Sequence, residues 1–140
     1  MSVIISLNKN GLFGVNDQLA YKSKTDLSIF SRLTKTFGNV VMGTKTWYSL
    51  PENMRPLPDR LNIIITRKPS EFPKVKDTVV VNSIREVFGI VEEPCFIGGA
   101  SILECLFNDP LFNKINKMYI TEFDDYIEAL PNGAKFLELP

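Results

Sequence analysis

Residues 40–47 read Val-Val-Met-Gly-Thr-Lys-Thr-Trp, and this order constrains the fold more than any other stretch of the chain. A short apolar run stops at Gly43, and a polar, helix-compatible segment follows. That is the pattern of a buried parallel strand whose carboxyl end opens onto a helix N-terminus. Backbone N–H groups lack partners at such a corner and the helix dipole is positive, which suits phosphate. Gly43 lets a ligand approach the backbone closely. Thr44 and Thr46 offer hydroxyls, and Lys45 a positive charge. The same glycine-then-threonine corner also serves as a plain strand-to-helix junction in α/β folds, so both readings stand.

The rest of the chain repeats this grammar. An apolar run at 3–7 predicts a buried strand. A long, polar, glycine-containing connection follows over 8–24, and connections of that length are usually functional or disordered. Leu27, Phe30, Leu33, Thr34 and Phe37 mark a helical face over 25–37, with Thr25 as N-cap. Strand 40–43 leads into a short helix over 44–50 and a proline-rich loop over 51–60. Strands follow at 61–66 and 78–81. Ser83 opens a helix to about residue 91, with Glu86 completing a capping box. A strand at 95–97 is ended by Gly98-Gly99, helix 100–107 comes next, and 117–123 is the last clear strand. Alternating strands and helices predict a largely parallel sheet with helices on both faces. Ligands of such sheets sit outside the carboxyl ends of the strands. Gly43, Gly98-Gly99 and the loop after the first strand all fall at such ends.

The bulk composition narrows the function classes. The 140 residues suit one domain spanning 1–140, and 44% are apolar. Lys plus Arg and Asp plus Glu balance at 16 each, so neither nucleic acid nor an anionic membrane surface is the expected partner. No stretch has the length and apolarity of a membrane span, and the N-terminus lacks signal-peptide character. A cytoplasmic location is therefore expected. Cys95 and Cys105 stand in apolar surroundings and are expected as buried free thiols. There is no histidine, which removes the commonest general base, most zinc sites and every histidine triad. No metal site is expected.

Proton chemistry then falls to a carboxylate, Tyr, Lys, Cys or water. Asp26, just past the long loop and beside Leu27, Ile29 and Phe30, is the best-placed carboxylate. It is either a carboxylate inside the cleft or a partner of the helix dipole. Gly98-Gly99-Ala100-Ser101 either presses backbone against a flat or phosphorylated ligand or makes a tight turn. Arg60 either clamps a carboxylate in a bidentate fork or is a solvated loop arginine. Arg67 either meets a phosphate on an adenosine ribose or faces water. Trp47 reads as core, and Tyr21 as a lid residue or an aromatic pinning the long loop.

Seven segments in order carry a family resemblance: Leu12-Phe13-Gly14, Asp26-Leu27 with Phe30, Val41-Met42-Gly43-Thr44-Lys45-Thr46-Trp47, Arg55-Pro56-Leu57-Pro58-Asp59-Arg60, Asn62-Ile63-Ile64-Ile65-Thr66, Ile97-Gly98-Gly99-Ala100 and Tyr119-Ile120-Thr121. Together, from Val3 to about Phe123, they make the chain similar to the dihydrofolate reductase family. The resemblance implies a three-layer αβα domain with a mostly parallel central sheet of about six strands. It implies hydride transfer from NADPH to C6 of dihydrofolate, with a proton reaching N5. Asp26 matches the family's single active-site carboxylate, and Thr121 the threonine that supports it; Tyr21 stands where a tryptophan is usual. Substrate contacts are implied for Ile4, Ile5, Leu27, Phe30, Leu50, Leu57, Arg60 and Ile97. Arg60 matches the arginine that pairs with the glutamate tail. Cofactor contacts are implied for Gly14, Gly43, Thr44, Lys45, Thr46, Thr66, Arg67, Gly98, Gly99, Ala100, Ser101 and Ile102, with a cis Gly-Gly bond. Gly14 and the loop after it match a lid that excludes water from the nicotinamide.

The chain also departs from the pattern. Ala20 and Tyr21 replace a proline and a tryptophan. Thr44 stands where an arginine often reads the NADPH 2′-phosphate, a task open to Lys45 or Arg67. Leu103 replaces a tyrosine common near the nicotinamide. The sequence stops at Pro140, so the chain reads as a C-terminally shortened member lacking the usual hairpin. Strand 117–123 would then be a bare edge, covered by the tail or by a second copy in a homodimer. Two alternatives remain: a reductase of a related pterin or pyrimidine, or a non-catalytic nucleotide-binding or structural protein on the same fold.

Overall fold

The computed structural model describes residues 1–8, 12–15, 18–19, 24–110, 117–123 and 134–136, with side chains over 1–4 and 30–110. Its strands are β1 (Ser2–Asn8), β2 (Leu12–Val15), β3 (Gln18–Leu19), β4 (Asn39–Gly43), β5 (Leu61–Ile65), β6 (Thr78–Val81), β7 (Cys95–Gly98), β8 (Lys117–Phe123) and β9 (Ala134–Phe136). Its α-helices are α1 (Lys24–Phe37), α2 (Thr44–Ser49), α3 (Ile84–Val87) and α4 (Ala100–Phe107). The central sheet runs β6-β5-β4-β7-β1-β8. Every neighbouring pair in it is parallel.

Burial on both faces follows from the strand sequences. Val3, Val41, Ile63, Ile65 and Phe96 point into one apolar cluster, joined by Val87, Ala100, Leu103 and Leu106 from α3 and α4. The alternate residues Ile4, Val40, Met42, Ile64, Cys95 and Ile97 point into a second, joined by Trp47 of α2 and by Phe30, Leu33 and Phe37 of α1. The period of two along each strand thus feeds two cores at once, which is why these runs carry almost no polar residue. Trp47 belongs to the core, where its ring meets Phe72 edge-on at 5.5 Å.

Local chemistry sets the element ends. Gly38, at φ 78°, stops α1 with its N–H donating to the Thr34 carbonyl at 3.0 Å, a left-handed C-terminal stop that glycine adopts freely. At α3, Ser83 Oγ accepts from the Glu86 N–H. The Glu86 carboxylate returns to the Asn82 N–H at 3.0 Å, one residue earlier than the capping box predicts.

Several expectations are corrected. Thr25 lies inside α1, which begins at Lys24. Regular helix in α3 ends at Val87, and only hydrogen-bonded turns continue to Val91. The connection over 8–24 carries β2 and β3, which pair antiparallel. Residues 134–136 pair antiparallel with β2; the rest of the tail expected to cover β8 lies outside the described residues. Short antiparallel pairings of this kind leave little periodic signal in sequence. Both cysteines are free, but only Cys95 is buried. Cys105 is exposed on α4, because Ala100, Leu103 and Leu106 form the face that meets the sheet. Among the described residues no helix is long and apolar enough to cross a membrane.

Burial pushes the Cys95 thiol up to about 12. At roughly pH 8 a thiol reagent should modify Cys105 quickly and Cys95 only on unfolding, as a time course with and without denaturant would read. The unfolded chain loses the Cys95 proton near 9.0, while the folded chain keeps it to about 12. The folded state binds more protons across that window. This contribution to stability is therefore complete below pH 9.0 and is lost as pH rises towards 12. Denaturation of Cys95→Ala should show a shallower alkaline decline than the parent; parallel declines would refute the assignment.

Candidate functional site

The parallel pairing of β4 with β7 sets Val41 opposite Phe96 and Met42 opposite Gly98, with an irregularity between the two pairs. Both strands therefore end side by side, and both feed straight into helices. α2 starts after Gly43 and α4 after Gly99, and neither N-cap has a side chain to bond the first turn. Two sets of helix-start N–H groups thus lie at the carboxyl edge of the sheet without side-chain caps, an arrangement suited to anionic groups. Thr44 and Thr46 are half-buried there, while Lys45 and Ser101 are exposed.

Packing at this corner is tight. Gly98 has φ 139° and its bond to Gly99 is cis, as the resemblance implies. A Cβ on Gly99 would lie 3.2 Å from Thr46 Oγ1. A Cβ on Gly43 would lie 3.0 Å from Cγ1 of Ile102. The sequence suggests that Gly43 makes room for a ligand; in the structure the missing Cβ makes room for Ile102. Thr66, half-buried, ends β5's run by accepting the Lys68 N–H on Oγ1 at 3.3 Å, and the neighbouring Arg67 is exposed.

On the face of α1 and α2, the chain gathers the apolar side chains expected around a folate. Ile4, Leu57 and Ile97 are buried in one cluster, with Phe30 and Leu50 packed against it. Leu57 reaches this place on the loop between α2 and β5. Arg55 fixes that loop to the end of α2, its Nε donating to the Leu50 carbonyl at 2.8 Å and its guanidinium lying over Tyr48.

Arg60, the last residue of the loop, is not the solvated arginine that one reading allows, since only 7% of it is exposed. Its Nε donates to the Pro58 carbonyl at 2.7 Å and its Nη1 to Thr34 Oγ1 at 2.6 Å. Desolvation pulls the guanidinium below its ordinary value, partly offset by the neighbouring Asp59 carboxylate. Arginine nevertheless stays charged.

Two polar residues near Arg60 carry roles that sequence reading did not assign. Thr34 is fully buried on the apolar face of α1, and Asn62 is fully buried at the start of β5. A lone polar residue on an otherwise apolar face was the only signal for either. Asp26 and Leu27 lie in the first half of α1, with Asp26 four positions before Phe30. Ile5 and Thr121 lie on paired strands, opposite Ile120 and Ser6 respectively, and Gly14 lies on β2. The side chains of Ile5, Asp26, Leu27 and Thr121 lie outside the described residues, as does Tyr21 altogether.

Replacing Gly43 by Ala should destabilise the fold by about 1–3 kcal/mol through overpacking against Ile102. In an Ile102→Ala background the same change should cost measurably less. Equal costs in the two backgrounds by denaturant unfolding would show that Ile102 is not the obstacle.

Comparison with known proteins agrees with this architecture. The profile of the dihydrofolate reductase family matches residues 1–133. The chain is 30% identical to the dihydrofolate reductase of Aedes albopictus, over 91% of this chain and 75% of the relative. It is 33% identical to that of Candida albicans, over 100% of this chain and 77% of the relative, and 29% identical to that of Drosophila melanogaster, over 96% and 82%. With these strands, these glycine corners and this extent of similarity, the chain belongs to the dihydrofolate reductase family.

Proposed function

We propose that this protein reduces 7,8-dihydrofolate to tetrahydrofolate with NADPH. The observation that carries the reading is a pair of chemically different surfaces on adjoining elements, joined where Ile97 of the apolar cluster precedes Gly98. One is the apolar group of Ile4, Phe30, Leu50, Leu57 and Ile97, with buried Arg60 nearby in the loop. The other is the adjacent pair of glycine-capped helix starts. The apolar group suits a flat pterin and its aryl ring, and the helix starts suit a pyrophosphate.

The residues present fit a dinucleotide phosphate. The first-turn N–H groups of α2 and α4 lack side-chain caps. Gly98, at φ 139°, carries no side chain, which lets a ligand come close to its backbone. Thr44, Thr46, Ala100, Ser101 and Ile102 would line the cofactor site, and Gly14 would lie on its lid side. Lys45, Thr66 and Arg67 are the candidates for the 2′-phosphate, with Thr44 in the place of the usual arginine. When bound, NADPH supplies the hydride that C6 of the pterin accepts.

The chain's own residues bind, orient and direct the proton. Asp26 would grip the amidine edge of the pterin through paired hydrogen bonds, raising the basicity of N5 so that water can protonate it. Thr121 would hold Asp26 and the pterin in register. The carbonyls of Ile4 and Ile97 would accept from the pterin amine, while Ile5 and Leu27 complete the apolar wall. Tyr21 would help shield this water. Arg60 would pair with the glutamate tail, a use that a substrate without such a tail lacks.

NADPH absorbance should fall when dihydrofolate is added and stay constant without it. Asp26→Asn should lower kcat by roughly a hundredfold or more, while NADPH binding, followed by fluorescence, stays at the parent level. NADPH binding without consumption in the parent would favour a non-catalytic protein. Unchanged turnover in Asp26→Asn would remove the role given to that carboxylate.

A further inference from the structure

Side chains from two different elements hold Arg60, Thr34 at the guanidinium and Asn62 at the backbone carbonyl, and neither of them belongs to the apolar wall. Thr34 Oγ1 donates to the Phe30 carbonyl at 2.8 Å and accepts from Arg60 Nη1 at 2.6 Å. The hydroxyl thus passes the helix backbone's orientation on to the guanidinium. Asn62 acts on the other side, through the loop. Its Oδ1 accepts the Leu57 N–H at 2.9 Å, and its Nδ2 donates to the Leu57 and Arg60 carbonyls, each at 3.0 Å. All of this amide's N–H groups are spent on the loop that carries Arg60. Nε of Arg60 bonds the Pro58 carbonyl inside the same loop. Among the described residues no group accepts a hydrogen bond from Nη2.

We propose that Thr34 and Asn62 are positioning residues for tail recognition: α1 and β5 grip Arg60 from two sides so that its remaining N–H groups face a substrate carboxylate in one fixed geometry. This inference rests on the proposed reduction of dihydrofolate and adds the means by which the tail is read. A guanidinium free to rotate would lose the paired geometry that makes arginine selective for carboxylates. Fixing it before binding removes the ordering cost from the binding step. Thr34 bonds the guanidinium alone among the groups that would meet substrate, so the pterin end should not sense the loss of its hydroxyl.

The test compares dihydrofolate with dihydropteroate, which carries the same pterin and aryl group and lacks the glutamate. Thr34→Val keeps shape and removes the hydroxyl, Thr34→Ser keeps the hydroxyl, and Asn62→Ala removes the loop staple. Thr34→Val and Asn62→Ala should raise KM for dihydrofolate by roughly tenfold, the loss of about one charge-assisted hydrogen bond. For Thr34→Val, kcat and the KM for dihydropteroate should stay near the parent values, and Thr34→Ser should restore most of the dihydrofolate KM; Asn62→Ala, which also releases Leu57 of the wall shared by both substrates, should raise the KM for dihydrofolate more than that for dihydropteroate. An equal rise for both substrates, or none for either, would overturn the proposal. Should Asn62→Ala fail to fold, Thr34→Val decides alone, because it leaves the staple intact. Binding of folate and pteroate, followed by quenching of Trp47 fluorescence, separates the two claims. Tail-dependent binding lost in Thr34→Val but without turnover in the parent would sink the reductase reading and keep the holder. Equal binding of folate and pteroate by the parent would sink the holder whatever the turnover.

Discussion

The pairing of β4 with β7 is the constraint on which the rest of this molecule depends. It lays Met42 against Gly98 and so ends two strands level with one another. Because each strand runs directly into a helix, two helix starts then stand side by side with glycine at both N-caps. The same pairing sends Val41 and Phe96 into one core and Val40, Met42, Cys95 and Ile97 into the other. A change that separated these strands would disperse both cores and the site together. The glycine corners tolerate the closeness only because nothing projects from them; the space beside Gly43 belongs to Ile102 and that beside Gly99 to Thr46.

A second constraint comes from placing a permanent cation in an apolar neighbourhood. Burying an ionised group is costly unless its hydrogen bonds are made. The Pro58 carbonyl in the loop before β5 and the Thr34 hydroxyl of α1 meet this demand at the guanidinium, while the Asn62 amide fixes the loop backbone through the Leu57 and Arg60 carbonyls. The result is a charged side chain that is both buried and oriented, beside the apolar side chains of Leu57 and Phe30. Such an arrangement spends stability on geometry, as sites that bind charged ligands do.

Much of the central sheet could be read from residue order. Runs such as Val-Val-Met and Asn-Ile-Ile-Ile are short, β-branched and bounded by glycine or proline, and they became β4 and β5. The glycine corners were equally plain. The misreadings have physical causes. β2, β3 and β9 are only a few residues long, and β9 joins β2 from the far end of the chain, so no period could announce them. Cys105 has apolar neighbours in sequence, yet on a helix those neighbours occupy a different face from its own. Arg60 looked like a loop residue, and nothing in its immediate sequence says that α1 folds across it.

The sequence by itself determined the alternation of strands and helices, the glycine at each strand end, the absence of histidine chemistry and the family likeness, because these depend on residue type and local spacing. Only the tertiary structure decided which strand ends lie together, that Gly43 yields its space to Ile102, and that Thr34 and Asn62 hold a buried arginine. Those are contacts between segments far apart in the chain, such as the 26 positions from Thr34 to Arg60. Such partners are chosen by how the layers pack, which no local pattern encodes.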